Sequence, residues 1–434
     1  QIAVRAPTNG DKMMMIHGAP LVFVGHGISE PRLGIDEYAG LDVRGKLAVV
    51  LRGAPGDLDQ EIAAHLDVSK ERVAAEHGAV GLIELSFGSF NAAASRAQWP
   101  IIDWVDPAGR AGESGDVRAE MILSPGMSRQ IFAGAQRSLE SVLSSSRSAI
   151  PGFALRARMH IEADSAWQDF KAPNVVAVLP GSDPKLGDEQ VVLMGHLDHL
   201  GVETSAGPHE DAIYNGALDN AAGVATLIEA ARSFTASGRR PRRSVMFVAT
   251  TGEERGLLGA DYFAAHPPVA RGNLAALVNL DMPLLTYGFT DVIGFGAEHS
   301  TIGEAVAEAG RSMGIALTPD PMPEQSLFIR SDHYRFVLRG VPAIFLMTGH
   351  ANGGKEAWGR YLGRAYHRPN DDLSQAIDWR AGAKFSELNY RIARALADAP
   401  QRPRWYRGDY FGDHYAPGQP RAERPAAATK PVQP

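Results

Sequence analysis

Three apolar runs in this sequence end in residues able to hold a metal ion. VVLMG leads into His196-Leu197-Asp198-His199, SVMFVATTG into Glu253-Glu254, and LAALVNL into Asp281. Two further candidates lie outside those runs: Asp219 at the start of DNAAGVATLIEAA, and His367 within Ala365-Tyr366-His367-Arg368-Pro369-Asn370-Asp371. Each has an ordinary explanation when taken alone. A His or Asp at a strand end is commonly a cap or a satisfied polar group. Asp219 is placed to cap the free N–H groups of a helix, and adjacent glutamates usually form a solvated face. As a set, after consecutive strands of one sheet, they point to a binding site, because open α/β sheets bind ligands at the carboxyl ends of their strands.

The chemistry open to such a set is that of a two-cation centre. A bridging Asp219, one His per metal and one further carboxylate per metal give two N/O sites with room for a shared water. Such donors suit zinc, with cobalt or manganese as substitutes. Two metals about 3.5–4 Å apart polarise a carbonyl and supply hydroxide near neutral pH. In His196-Leu197-Asp198 the carboxylate can take the second N–H of the imidazole and fix its tautomer. Of Glu253 and Glu254, one can bind metal while the other stays free as a base. Cysteine is absent, which removes disulfides, zinc fingers and a thiol nucleophile and leaves metal binding to His, Asp and Glu.

The elements that must position these residues begin near Asn174. Apolar runs at 174–179, 190–195, 244–250, 274–280 and 341–347 are too short for helices and rich in Val, Ile or Leu. Helical patterns follow several of them, at 219–236, 256–265, 301–313 and 378–397. This order predicts an α/β domain, its mixed, mainly parallel sheet covered by helices on both faces. Upstream, 21–24 and 46–51 read as strands bounded by glycines, 69–78 and 136–145 as helices, and 153–161 as a half-exposed strand. The division expected is a β-rich domain at 1–170, the site-bearing domain at 171–402, and a polar, Pro/Ala-rich tail at 403–434, whose closing stretch APGQPRAERPAAATKPVQP composition marks as unfolded.

Composition bounds the rest. The 434 residues leave room for two or three domains. Hydrophobic residues at 44% and charged residues at 21% exclude wholesale disorder, collagen and a coiled-coil rod. A net charge of -7 argues against a nucleic-acid-binding surface. No stretch approaches the ~18 apolar residues of a membrane-spanning helix. The first residue is Gln1, so removal of an upstream segment and a secreted or periplasmic location are expected.

The ordered motifs resemble those of the M28 family of zinc-dependent aminopeptidases. The matching text is GHLDHLG at 195–201, YNGALDNAAG at 214–223, TTGEERGLLGA at 250–260, VNLDM at 278–282, SDHYRF at 331–336 and YHRPND at 366–371. The resemblance implies two Zn2+ per chain, one held by His196 and Asp281, the other by Glu254 and His367, with Asp219 bridging. It implies that Glu253 is the general base, Asp198 the partner of His196 behind the metal, and Tyr366 the donor to the tetrahedral oxyanion. Arg330 resembles a substrate-positioning arginine of some members. A cis peptide is implied after the bridging Asp, at Asp219-Asn220. The first half is similar to a protease-associated (PA) domain, through LVFVGHGISEPRLGIDEYAGLDVRGKLAVVLRGAPG at 21–56 and SKERVAAEHGAVGLIEL at 69–85. Such domains carry no catalytic residues. In related chains the PA domain follows an opening segment of the peptidase domain, and here almost nothing precedes it.

The function expected from the resemblance is removal of N-terminal residues from peptides with a free N-terminus. Two alternatives stand beside it. Glutaminyl cyclase-like acyl transfer uses a related fold with one zinc, and the presence of both His196 and Asp281 speaks against it. A non-catalytic binding module is the fate of this fold when its ligands are lost, and here every ligand position is filled. Gly353-Gly354, Trp358 and Tyr361 are candidates for the pocket wall, with packing as the simpler role.

Overall fold

The structure, a computed structural model, describes residues 2–5, 13–56, 58–85, 101–109, 112, 117–145, 150–204, 207 and 210–425. Contacts divide the chain into two compact units, Gln1–Phe170 and Lys171–Pro434.

The first unit is built on six strands: β1 (Ile2–Arg5), β2 (Met13–Phe23), β3 (Leu47–Leu51), β4 (Gly81–Leu85), β5 (Ala119–Leu123) and β6 (Phe153–Asp164). Their order across the sheet is β1-β5-β4-β3-β2-β6, with β2 to β5 mutually parallel and the two edge strands antiparallel. Central β3, LAVVL, is buried throughout and reads as a continuous apolar run, as a strand covered on both faces must. Edge strand β6 alternates between buried and exposed positions, as its period-2 pattern predicts. Successive β3 residues feed two separate apolar clusters. Val49 joins one with Phe23, Ile83 and Met121, and Val50 joins the other with Val22 and Leu82. Helices α1 (Gln60–Val68), α2 (Lys70–Glu76), α3 (Pro125–Ile131) and α4 (Leu139–Ser144) complete the unit. Val73 and Ala74 of α2 enter the second cluster, while Ile131, Leu139 and Val142 enter the first.

The main sheet of the second unit has seven strands: β7 (Val175–Leu179), β8 (Gln190–His196), β9 (Ser244–Thr250), β10 (Leu274–Leu280), β11 (Asp291–Phe295), β12 (Ala316–Thr318) and β13 (Ala343–Thr348). The order is β12-β11-β13-β10-β8-β9-β7. The four central strands β13, β10, β8 and β9 run parallel, whereas β7 and β11 run against their neighbours β9 and β13. The sheet is therefore mixed and mainly parallel. Every residue of β8 and of β10 is buried.

Among the described residues, α5 (Ala222–Ala236), α6 (Leu258–Ala265), α7 (Ile302–Arg311) and α8 (His333–Val337) connect strands of this sheet, and α9 (Gly354–Arg364), α10 (Trp379–Asp398) and α11 (Tyr410–Tyr415) follow its last strand. Helices α5, α7 and α10 form one packed group, and α6 packs on α8. In α10, Ala381, Phe385, Leu388, Ile392 and Leu396 make the buried stripe, at the three- and four-residue spacing of an amphipathic helix. Asp378 starts it by accepting from the N–H groups of Arg380 and Ala381.

The stretch after Arg402 departs from expectation. The sequence set 403–434 apart as a tail, yet Trp405, Phe411 and Ala416 belong to the main core of this unit. The Trp405 indole donates to the Gly340 carbonyl at 3.1 Å, and the Phe411 ring lies 5.0 Å from that of Phe328. Two buried aromatic side chains outweigh the Pro/Ala bias around them. Residues 426–434 lie outside the described residues.

Candidate metal centre

Because β8, β9 and β10 are parallel, the residues following them emerge at one edge of the sheet. His196 pairs with Thr250 across β8 and β9, and Met194 with Asn279 across β8 and β10. Two residues past Asn279 stands Asp281, level with His196. Beyond Thr250 the chain turns at Gly252, φ 72°, into the short helical turn Glu253–Arg255. That turn delivers both glutamates to the same edge.

Asp219 arrives on the irregular turn Ala217–Ala221 that precedes α5, and the Asp219-Asn220 peptide is cis, as the family resemblance implied. The turn is pinned on two sides. Asn220 donates from Nδ2 to the Leu280 carbonyl at 2.9 Å and accepts from the Gly223 N–H at 3.0 Å. A Cβ on Gly223 would fall 2.0 Å from Asn220 Oδ1, so only glycine permits this approach. On the other side the Asp371 carboxylate accepts from the N–H groups of Leu218 (3.1 Å) and Asp219 (3.0 Å) and from the Tyr361 hydroxyl (3.1 Å). Capping of α5 thus falls to Asn220 and not, as the sequence suggested, to Asp219, whose side chain is left free for the site.

The two carboxylate oxygens of Asp219 face different imidazoles. Oδ1 lies 3.2 Å from His196 Nε2, and Oδ2 lies 3.3 Å from His367 Nε2. Asp281 Oδ1 is 3.1 Å from the same His196 nitrogen, and Glu254 Oε2 is 3.2 Å from the same His367 nitrogen. All five residues expected as ligands therefore converge, in two groups that share Asp219.

The supporting residues are less as expected. His196 Nδ1 contacts the backbone carbonyl of Asp198 at 3.0 Å, while that residue's carboxylate is 3.9 Å away. The carboxylate instead accepts from the Glu253 N–H at 3.3 Å. Asp198 still stands behind His196, but through its main chain, because its side chain turns toward the Glu253 loop. Tyr366 stacks on His367 with ring centroids 3.8 Å apart. Arg330 is exposed and donates to the Gln325 carbonyl at 3.2 Å, and its charge reaches the Tyr366 phenol. Trp358 and Tyr361 are buried in the core.

Several participants were given no role by the sequence reading, His199 among them although it stood in the run at the end of β8. Ser331 donates to Asp281 Oδ2 at 2.6 Å and accepts from Asn279 Nδ2 at 2.6 Å. Asp332, fully buried, accepts from the Thr250 hydroxyl. His199 places Nδ1 2.6 Å from Glu254 Oε1. Their motifs, SDH and HLDH, were visible, but no spacing rule ties a residue to a partner fifty or more positions away.

Crowding of carboxylates shapes the titration. Burial raises the Glu253 carboxyl well above its ordinary range, and neighbouring Asp281, Asp332 and Glu254 add to the shift against the pull of His196. Burial likewise lifts Asp332, to about 7. Burial opposes the charged form of His196, but Asp281 and Asp219 outweigh it and raise that imidazole well above its usual value. Tyr366 is raised by burial and by the Asp219 charge, so its hydroxyl keeps its proton.

A divalent cation fits this donor set. His196, Asp219 and Asp281 offer donor atoms within 4.8 Å of one another, as do His199, Asp219 and Glu254. Oε1 of Glu254, though buried, has no well-formed hydrogen bond. Buried anionic oxygens facing imidazole nitrogens of this kind are ordinarily balanced by a metal.

The sequence pattern of Peptidase family M28 matches residues 174–393, just over half of the 434. The chain belongs to peptidase family M28. The chain is similar to a probable zinc metalloprotease of Pyrenophora teres f. teres, 29% identical over 259 residues and covering 53% of this chain and 49% of the relative. It is also similar to a probable leucine aminopeptidase 2 of Aspergillus oryzae, 28% identical over 260 residues, or 55% of this chain and 48% of that protein. An aminopeptidase structure from Aneurinibacillus sp. strain AM-1 aligns over 93% of this chain and 85% of its own, with 20% identity and a TM-score of 0.43. The chain spans about half the length of these two curated relatives. All five candidate ligands lie inside the M28 match.

Proposed function

We propose that the second unit is a two-zinc exopeptidase that removes N-terminal residues from peptides. The observation that carries this reading is the division of Asp219 between His196 and His367, the arrangement by which one carboxylate serves two cations. Family membership and the likeness to a leucine aminopeptidase support peptide bonds as the target. His196 and Asp281 would hold one zinc, Glu254 and His367 the other, with cobalt or manganese able to substitute. When bound, such a pair polarises a carbonyl and lowers the pKa of a water.

The protein's own groups would do the rest. Glu253, held above the ordinary carboxyl range, takes a proton from the attacking water and returns it to the leaving amine. Tyr366, which keeps its proton, donates to the oxyanion as the tetrahedral centre forms. Arg330, exposed and near enough for its charge to act on the Tyr366 phenol, would meet the far end of a substrate. The first unit is proposed as a PA-like appendage without catalytic residues, and the protein as secreted or periplasmic, which cell fractionation would test.

The deciding experiment is hydrolysis of an amino-acid amide panel, with and without a chelator, against N-acetylated controls. Chelator-sensitive cleavage of the free-amine compounds alone is expected. Equal cleavage of the acetylated compounds would refute an aminopeptidase. Cyclisation of N-terminal Gln with one metal per chain would favour acyl transfer instead.

A further inference from the structure

Glu254 has two carboxylate oxygens, and only one of them faces His367. The other, Oε1, lies 2.6 Å from Nδ1 of His199. Both side chains are more than nine-tenths buried. A bare nitrogen lone pair and an anionic oxygen would repel at that distance, so a proton or a cation must lie between them.

His199 is held in place by its neighbours. Directly after it, Gly201–Val202 pairs with Ile213–Tyr214 in a two-stranded ribbon, and the Tyr214 ring lies 6.4 Å from the imidazole. Gly216, at φ 65°, passes so close that a Cβ there would sit 2.9 Å from His199 Cγ and 2.5 Å from the Asp219 carbonyl oxygen. The turn that presents Asp219 is thus also the turn that makes room for His199. The His367 ring approaches edge-on, with centroids 5.8 Å apart.

The geometry points to His199 as a positioning residue for Glu254. Neither Nδ1 nor Oε1 makes a well-formed hydrogen bond as the ring stands, but at 2.6 Å a small rotation of the imidazole aligns Nδ1–H with Oε1 and so fixes the carboxylate with Oε2 turned toward His367. This rests on the two-metal reading of the site and adds a residue to it. Glu254 sits in a short turn between two glycines at positive φ, Gly252 and Gly256, and a free carboxylate there would rotate. With Oε1 tied down, the second cation meets a carboxylate already oriented. Groups that orient a metal ligand from behind typically contribute 10–100-fold in metal affinity.

The test measures metal affinity by competition with a chromophoric zinc chelator in the whole chain, for wild type, His199→Ala and His199→Gln. Wild type should bind two zinc ions. His199→Ala should keep one at wild-type affinity and bind the other 10–100-fold more weakly. His199→Gln, whose amide can still donate to Oε1, should recover most of that loss. Two wild-type affinities in His199→Ala would overturn the inference and leave the two-metal reading intact. Equal loss in both variants would also overturn it, since a direct ligand is not replaced by an amide donor. A wild type that binds fewer than two ions would sink the two-metal reading and this inference with it.

Discussion

The two halves of the centre are built differently. His196 and Asp281 stand at the ends of fully buried parallel strands, with side chains 1% and 6% exposed. Asp281 is braced by Ser331, which is braced in turn by Asn279. Glu254 and His367 stand on connections. Glu254 occupies a three-residue turn, and His367 has a φ of 56° and a side chain 36% exposed. A strand end fixed by ladder hydrogen bonds has few alternatives, while a loop must be held by its own side-chain contacts. One half is therefore set by the sheet and the other by local clamps, with Asp219 joined to both.

The largest expected effect belongs to neither half. Replacing Glu253→Gln removes the base while leaving both ligand sets in place. Turnover should fall about 10²–10⁴-fold, with metal content by elemental analysis unchanged. Near-normal kcat would remove Glu253 from that role.

Ser331→Ala sharpens the comparison, since only the strand-end half loses a brace. The affinity of one zinc should fall about 10–100-fold while the other keeps its wild-type value. Equal weakening of both would show that the halves are not independently supported. A separate effect, on stability and not on the metals, comes from His333, on the helix that follows Ser331. It is fully buried, and burial, assisted by the charge of nearby His299, lowers its pKa to about 3. A depressed imidazole favours the folded state above its ordinary value, and that contribution is lost as pH falls from about 6.5 toward 3. Unfolding free energy of wild type should decline relative to His333→Leu by about 1.4 kcal/mol per pH unit across that window. Parallel pH profiles from denaturant titrations of the two proteins would contradict it.

How much of this was legible in the sequence follows the same division. β8, β9 and β10 could be read because parallel buried strands are continuous apolar runs, and their ends were marked by His196, Glu253-Glu254 and Asp281. β11, DVIGF, was missed because five residues interrupted by Asp291 and Gly294 give no periodic signal. The stretch around Trp405 and Phe411 was misjudged because composition averages over the aromatic anchors that dock it. Within the site, ligand types were visible while their supports were not. Asp371 clamps the Asp219 turn across 152 positions, and Ser331 reaches Asp281 across 50. Such pairings exist only once the sheet has ordered its strands.

The central claim is that one carboxylate serves two cations, and Asp219→Ala tests it most directly. Its zinc content, measured beside wild type by elemental analysis after dialysis, should drop from two equivalents per chain to near zero, with far-ultraviolet circular dichroism unchanged. Retention of two equivalents by a folded Asp219→Ala protein would contradict a shared ligand at that position.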